Sequence, residues 1–507
     1  MPVAADFGDG GPGDDPGRLQ PMALPDYEPV IGLEVHCQLK TRTKSFCACP
    51  VVFGAPPNSA VCPVCLGYPG VLPVLNREMV TLAMRVAVAT GCEIRERSVF
   101  ARKNYFYPDL PKGYQISQLD RPLAVGGHVP VRTSAGDRMI RLSRIHLEED
   151  AGKLMHEFPW DDVPTGASLV DLNRAGTPLI EIVSEPDIRS GDEAWDYLNR
   201  LRRLVRYVDA SDGNMEEGSL RCDANVSVRP RGSAVLGTKV EIKNLNSINH
   251  VRKAIEHEVE RQAGTLDRGG VVVQETRLWH PETGTTRPMR SKEEAMDYRY
   301  FPDPDLGTLQ VDDEWRRSVA GSMPELPDVR VARLVAQLGL PWADADTICL
   351  SRPLADWFEA AVEAHPSNPK GIANWLLSEL LSRMGDADRQ AGRVPIAPAA
   401  LARLVVRIDD GTISGKIGKE LVPLLIDSGK DPDDLIREKG LVQVTDEGAI
   451  RVVVETVVAA NPQQVAAYRA GKTQALGWFV GQVMKASAGK ANPAIANRLL
   501  KELLEQG

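Results

Sequence analysis

Apolar and polar residues alternate strictly over 31–40. Ile31, Leu33, Val35, Cys37 and Leu39 share one face of an extended strand, and Glu34, His36, Gln38 and Lys40 share the other. Three further stretches have similar polar faces. Arg144-Ile145-His146-Leu147-Glu148-Glu149-Asp150 is one, and 177–183 is the second, with Glu181 set inside an apolar strand where an unpaired charge would be expensive. In the third, Leu220, Cys222, Ala224, Val226 and Val228 alternate with Arg221, Asp223, Asn225, Ser227 and Arg229. Lys239, Glu241 and Lys243 repeat the period around Val240 and Ile242. Such alternation predicts an antiparallel sheet with one covered face and one open face lined by charges of both signs.

Helical periodicity is confined to other stretches. A helix is expected over 77–90, carrying Val80, Met84, Val86 and Val88, with Gly91 as its stop. The stretch 103–118 holds Tyr105, Phe106, Tyr107 and Tyr114 among prolines that preclude a long helix, although only 5% of the chain is aromatic. It reads as a loop able to stack bases or as a rigid packed lid, and the interleaved Lys103 and Lys112 favour the first. Near residue 320 strand patterns stop, and 323–327 reads as a linker. Helical stripes follow at Ile372, Trp375, Leu376 and Leu380, and at Leu401, Leu404, Val405 and Ile408. A boundary near Lys439-Gly440 opens a last helical segment, in which Asn461-Pro462 and Asn492-Pro493 each predict a capped helix start. The fold class is therefore α+β.

A chain of 507 residues exceeds one core and implies two to four domains. The first 25 residues, rich in Gly, Pro and Asp, lack the basic start and apolar centre of a signal peptide and predict a disordered leader. No apolar run approaches the ~20 residues that cross a bilayer, and the expected location is cytoplasmic. A net charge of −9 argues against wholesale wrapping of nucleic acid. From Gly440 onward, however, seven Lys/Arg face five Asp/Glu, so the tail is mildly basic. Cys47-Ala48-Cys49 and Cys62-Pro63-Val64-Cys65, twelve residues apart, can place four thiolates around a tetrahedral zinc ion. With all four positions filled by protein, such a site is structural. Cys37, Cys92, Cys222 and Cys349 are scattered and read as small buried apolar residues.

An open sheet face holding Glu34, His36, Glu148, Glu149, Glu181 and Asp223 beside Arg221, Lys239 and Lys243 suits metal-assisted phosphate chemistry. Carboxylates hold Mg²⁺, and cations neutralise a transferring phosphate. No P-loop competes: Gly411-Thr412-Ile413-Ser414-Gly415-Lys416-Ile417 and Ser487-Ala488-Gly489-Lys490-Ala491 both lack the required spacing. Any ATP is bound by a different architecture.

The segments Ile31 to His36, Arg102 to Asp109, His146 to Lys153, Asp171 to Glu181, Met215 to Asn225 and Asp297 to Pro302 closely resemble the B subunits of aspartyl/glutamyl-tRNA(Asn/Gln) amidotransferases. The resemblance runs in order from Tyr27 to the C-terminus. It leaves the leader over 1–26 outside and implies a cradle domain similar to glutamine synthetase over 27–322, which contains the cysteine loop at 47–65, then a helical domain over 323–439 and a YqeY-like tail over 440–507. It also implies an ATP- and Mg²⁺-dependent carbon–nitrogen ligase that phosphorylates the side-chain carboxylate of Glu-tRNA(Gln) or Asp-tRNA(Asn). Ammonia from an amidase A subunit then gives the amide, and a small C subunit completes a heterotrimer. By resemblance, Glu34, His36, Glu149 and Glu181 are the catalytic group, with His36, Glu149 and Glu181 on Mg²⁺ and Glu148 close by. Lys103, Tyr105, Arg221, Asp223 and Lys239 are assigned to ATP, substrate or a second metal, and Lys472, Lys485 and Lys490 to tRNA. Strict alternation instead puts Glu148, not Glu149, on the face of His146, and a bulge would reconcile the two.

The chain shows no amidase signature of its own, so ammonia is expected from a partner. Two rival readings remain: a non-catalytic tRNA-binding scaffold whose carboxylates form ion pairs, and a free-standing ligase acting on a small acid. The second leaves the basic tail unexplained.

Overall fold

The computed structural model describes residues 26–133, 136–155, 167–289, 298–442, 446–487 and 490–505. The expected leader, save Asp26, lies outside the described residues, as does Asp297. The chain divides into two compact units, Met1–Pro324 and Glu325–Gly507.

The first unit is organised around a ten-stranded sheet. Strand Tyr27–Gln38 lies near its middle, between Leu220–Pro230 and Pro178–Ser184, and Gly136–Glu149 pairs with the far side of Pro178–Ser184. All these pairs are antiparallel, as the alternation predicts. Ile31, Leu33, Val35 and Cys37 are fully buried, as are Ala224 and Val226. Three helices cover that apolar face. Arg77–Ala89 packs on Gly136–Glu149 and Pro178–Ser184, Ile248–Asp267 packs on Leu220–Pro230, and Gly191–Tyr207 packs on His128–Thr133 and on Ile248–Asp267. Helix Arg77–Ala89 ends at Thr90, followed by Gly91 at φ 68°, the left-handed stop expected there.

One sheet pair departs from the antiparallel expectation. Val240–Leu245 runs parallel to Thr276–His280. Helix Ile248–Asp267 connects these two strands, and a helical crossover returns the chain in the same direction. Alternation within a strand reports which face is covered, not the direction of the next strand.

In the second unit, the stripe residues Ile372, Leu376, Leu380, Leu401, Leu404 and Val405 are buried in one core drawn from Val331 to Ile436, with Trp375, Ile408 and Leu441 packed against it. A separate core joins Ile450, Val454, Phe479, Val483, Leu499 and Leu500. The two expected caps differ. Asn492 Oδ1 accepts from the backbone N–H of Ala494 at 2.9 Å and of Ile495 at 3.2 Å. Asn461 makes no cap hydrogen bond and instead donates to the Val457 carbonyl at 2.8 Å. Pro462 alone marks that helix start.

Candidate active site and cysteine clip

The register of the central strands brings the polar residues abreast. Arg221 pairs with His36, His36 with Glu181, and Glu181 with His146, so four strands present one row across the open face. One step along, Asp223 lies opposite Glu34. Because side chains alternate, Glu148 shares the face of His146. His36, Glu148 and Glu181 each turn a ligand atom inward, all within 4.8 Å of one another. His36 Nε2 is 3.4 Å from Glu181 Oε2 and 4.0 Å from Glu148 Oε2. Two buried carboxylates beside a half-buried imidazole fit one divalent cation: the oxygens suit Mg²⁺, and the imidazole also admits Mn²⁺.

Glu149 does not join this group. Its carboxylate is paired with the Lys112 ammonium and accepts the Ile116 backbone N–H at 3.0 Å, on the other side of the strand. The ladder from Arg144 to Glu149 has no bulge; the one irregularity lies between Val183 and Ser184. The grouping of Glu149 with His36 and Glu181 is therefore replaced by Glu148. The alternation signal points to this exchange, and the motif resemblance points away from it.

The sequence assigns no role to His146. Its Nε2 lies 3.2 Å from Glu148 Oε1 and 3.3 Å from Glu181 Oε2, while its buried Nδ1 has no partner. Burial opposes a charge on this ring, but the hydrogen bonds to both carboxylates outweigh it and hold its pKa up at about 9. In return, Glu181 is held well below the usual carboxylate range despite burial, through His146 and His36. Glu148 is lowered in the same way, by His146 against the cost of burial. Ser117 Oγ donates to Glu148 at 2.7 Å and Gln115 Nε2 donates at 3.2 Å. Serine and glutamine in a short strand give no sequence signal for this.

Lys103 stands beside the group. Burial disfavours its charge, yet the fields of Glu148, Tyr300 and Glu181 raise its pKa above the ordinary lysine value. Its Nζ sits 5.0 Å over the Tyr298 ring, which packs edge-on to Tyr105 at 6.0 Å. Tyr105 is raised chiefly by burial and stays a neutral phenol. Phe106 and Tyr107, at the hairpin tip between Ala101–Asn104 and Tyr114–Ser117, are exposed.

The remaining assigned residues fall into two sets. Arg221 pairs with Asp150 at 2.9 Å, and Asp150 also accepts from Gln38 at 2.7 Å. Asp223 pairs with Lys243 at 2.9 Å, and Lys243 also reaches Glu241 at 2.9 Å. Glu34 accepts from Asn225 at 3.0 Å; burial and then the charges of Glu181, Glu241 and Asp223 push its pKa up. Lys239 is exposed just before strand Val240–Leu245, and its field helps to lower the pKa of Glu241. Lys472 and Lys485 are exposed and Lys490 is half-buried, at the ends of the tail helices.

The four predicted cysteines also converge. The sulfurs of Cys47, Cys49, Cys62 and Cys65 lie within 4.8 Å of one another, as a tetrahedral zinc site requires. The turn Cys62–Cys65 directs the Cys62 backbone N–H onto Cys65 Sγ at 3.1 Å. A cavity of about 210 Å³ beside this clip is lined by Lys44, Cys47, Cys65, Lys112, Tyr114 and Glu149, among others. It is distinct from the His36 group.

Family models match stretches in both units of the chain. Residues 29–317 match the GatB/GatE catalytic domain and residues 356–504 match the GatB domain. The chain is 54% identical over 478 residues to the B subunit of the aspartyl/glutamyl-tRNA(Asn/Gln) amidotransferase of Syntrophotalea carbinolica, covering 94% of this chain and 98% of that one. It is 52% identical over 480 residues to the protein of the same name from Persephonella marina, covering 95% and 100%. The Geobacter sulfurreducens protein, also of that name, is 54% identical over 482 residues, covering 95% and 100%.

Proposed function

The chain belongs to the family of aspartyl/glutamyl-tRNA(Asn/Gln) amidotransferase B subunits, and from that premise we propose that it carries out the ATP-dependent half of the reaction. The first unit acts as a cradle that activates the side-chain carboxylate of Glu-tRNA(Gln) or Asp-tRNA(Asn) by phosphorylation. Ammonia from an amidase A subunit then displaces phosphate, and a small C subunit completes the cytoplasmic assembly. The observation that carries this reading is the buried group of His36, Glu148 and Glu181 with Lys103 beside it.

The chemistry requires such a site. A carboxylate is a poor electrophile because hydroxide would have to leave, and phosphorylation supplies a better leaving group. His36, Glu148 and Glu181 would hold Mg²⁺, which when bound neutralises the charge that develops on the transferring phosphoryl group. His146 keeps Glu148 and Glu181 ionised and aimed into the site. Lys103 brings a fixed positive charge to the same place, and the low-dielectric surroundings strengthen its pull on phosphate oxygens. Arg221, fixed by Asp150, lies in the next strand along the same row and suits a phosphate contact. Glu34, with its raised pKa, and Asp223 border the site one step along the same two strands. Glu149 acts away from the metal, in the cavity beside the cysteine clip. Cys47, Cys49, Cys62 and Cys65 hold a structural zinc ion, and the tail bearing Lys472, Lys485 and Lys490 contacts the tRNA.

The test is ADP formation by this chain assembled with its amidase and small-subunit partners, supplied with Mg²⁺, ATP, ammonium and Glu-tRNA(Gln). Turnover should require the mischarged tRNA, yield Gln-tRNA(Gln) and collapse in Glu181→Ala. Tight tRNA binding without ATP turnover would reduce the chain to a scaffold.

A further inference from the structure

Lys44 is fully buried, a rare place for a lysine, and the phosphoryl-transfer chemistry leaves it without a role. Its Nζ donates to Cys65 Sγ at 3.6 Å and to the Leu172 carbonyl at 3.4 Å. It lines the same cavity as Glu149, yet that carboxylate is already engaged by Lys112 and the Ile116 N–H. A buried ammonium needs an anionic partner, because the cost of removing it from water runs to several kcal/mol. The group that answers it here is the Cys65 sulfur. Four thiolates around one divalent zinc ion carry a net charge of −2, and a donor aimed at one sulfur offsets part of it.

The surroundings fix Lys44 in this position. Its backbone N–H donates to the Cys49 carbonyl at 3.0 Å, and the next N–H, from Ser45, donates to the Gly176 carbonyl at 2.8 Å. Gly176 has φ 82°, and a Cβ there would lie 3.5 Å from Lys44 Cδ and 3.7 Å from Cys65 Cβ. The lysine stem is thus packed between the clip and the turn that precedes strand Pro178–Ser184.

Resting on the zinc reading above, we infer that Lys44 is an unassigned part of the zinc site. Its ammonium donates to the Cys65 thiolate, neutralises part of the thiolate charge and retains the metal, while its bond to the Leu172 carbonyl ties the clip to the chain just after strand Leu169–Asp171. It is a positioning residue, not a ligand.

The full-length chain, purified with zinc, is mixed with a chromogenic chelator and the rate of zinc release is followed. Lys44→Met keeps the stem but removes donor and charge, and should release zinc about tenfold faster than wild type. Lys44→Gln, which keeps an N–H donor without charge, should fall between the two. Cys62→Ser should hold no zinc. Release from Lys44→Met and Lys44→Gln at the wild-type rate overturns the role of Lys44 alone. Wild-type protein that holds no zinc overturns this inference and the zinc reading together.

Discussion

Glu148 and Glu149 are adjacent in the chain and face opposite ways, so one substitution apiece separates their roles. Glu148→Gln should weaken Mn²⁺ binding, followed by electron paramagnetic resonance, by about tenfold or more, because it removes one of two carboxylates from the buried group. Glu149→Gln should leave Mn²⁺ affinity within about twofold, since its carboxylate is held by Lys112 and Ile116. The opposite ranking would return Glu149 to the metal. Asp150, next along, makes a different prediction. Burial alone would raise its pKa, but Arg221, Arg174 and Gln38 bring it below the usual aspartate value. A lowered folded-state pKa means that this stabilisation is present above the unfolded value of about 3.9 and is lost as pH falls through the folded value. Asp150→Asn should therefore cost about 2 kcal/mol in denaturant unfolding at pH 7, because the half-buried Arg221 loses its charged partner. The difference from wild type should shrink as pH drops below about 4. A gap that stays constant with pH would sink the ion-pair account.

Among the elements, the strands were legible because one covered face forces a period of two. The apolar sides of 31–39 and 220–228 are buried as expected, and the register then aligns His36, Glu181 and His146 without further information. Contacts made by short polar residues across the fold were not legible. Ser117 and Gln115 reach Glu148 only because the hairpin from Ala101–Asn104 to Tyr114–Ser117 lies against strand Gly136–Glu149. The parallel pairing of Val240–Leu245 was hidden for a similar reason, since direction depends on the connecting helix. Local chemistry also misleads where two sequences look alike. Asn461-Pro462 and Asn492-Pro493 read identically, yet one side chain caps and the other turns back to Val457. Asn492→Ala should therefore destabilise the last helix by about 1 kcal/mol, whereas Asn461→Ala forfeits no cap. Amide hydrogen exchange in Pro493–Glu505 against Pro462–Arg469 distinguishes them. Equal losses of protection would show that the cap contributes nothing.

At the scale of the whole molecule, the second unit holds two cores that can be separated. One draws on Val331 to Ile436 with Leu441 against it, and the other runs from Ile450 to Leu504. Leu441 belongs with the first, so a truncation that respects packing ends after Val442 rather than at the expected boundary near 440. The charges of the tail narrow its contact surface. Arg451 and Arg498 are paired with Glu447 and Glu502, which leaves Arg469, Lys472, Lys485, Lys490 and Lys501 as the cations able to meet phosphate. An assembly in which this chain ends at Val442 should keep the proposed phosphoryl-transfer site, because every residue of that site lies in the first unit. Its turnover at saturating Glu-tRNA(Gln) should stay close to that of the full assembly, while KM for the tRNA rises by about tenfold or more. Every lysine–phosphate pairing that the truncation removes also lowers the dependence of log affinity on log salt by about one. A truncated assembly with unchanged KM and unchanged salt slope would show that the tail does not hold the tRNA. A fall in turnover at saturation, with KM unchanged, would instead place the tail in the chemical step, a role the separate cores do not provide for.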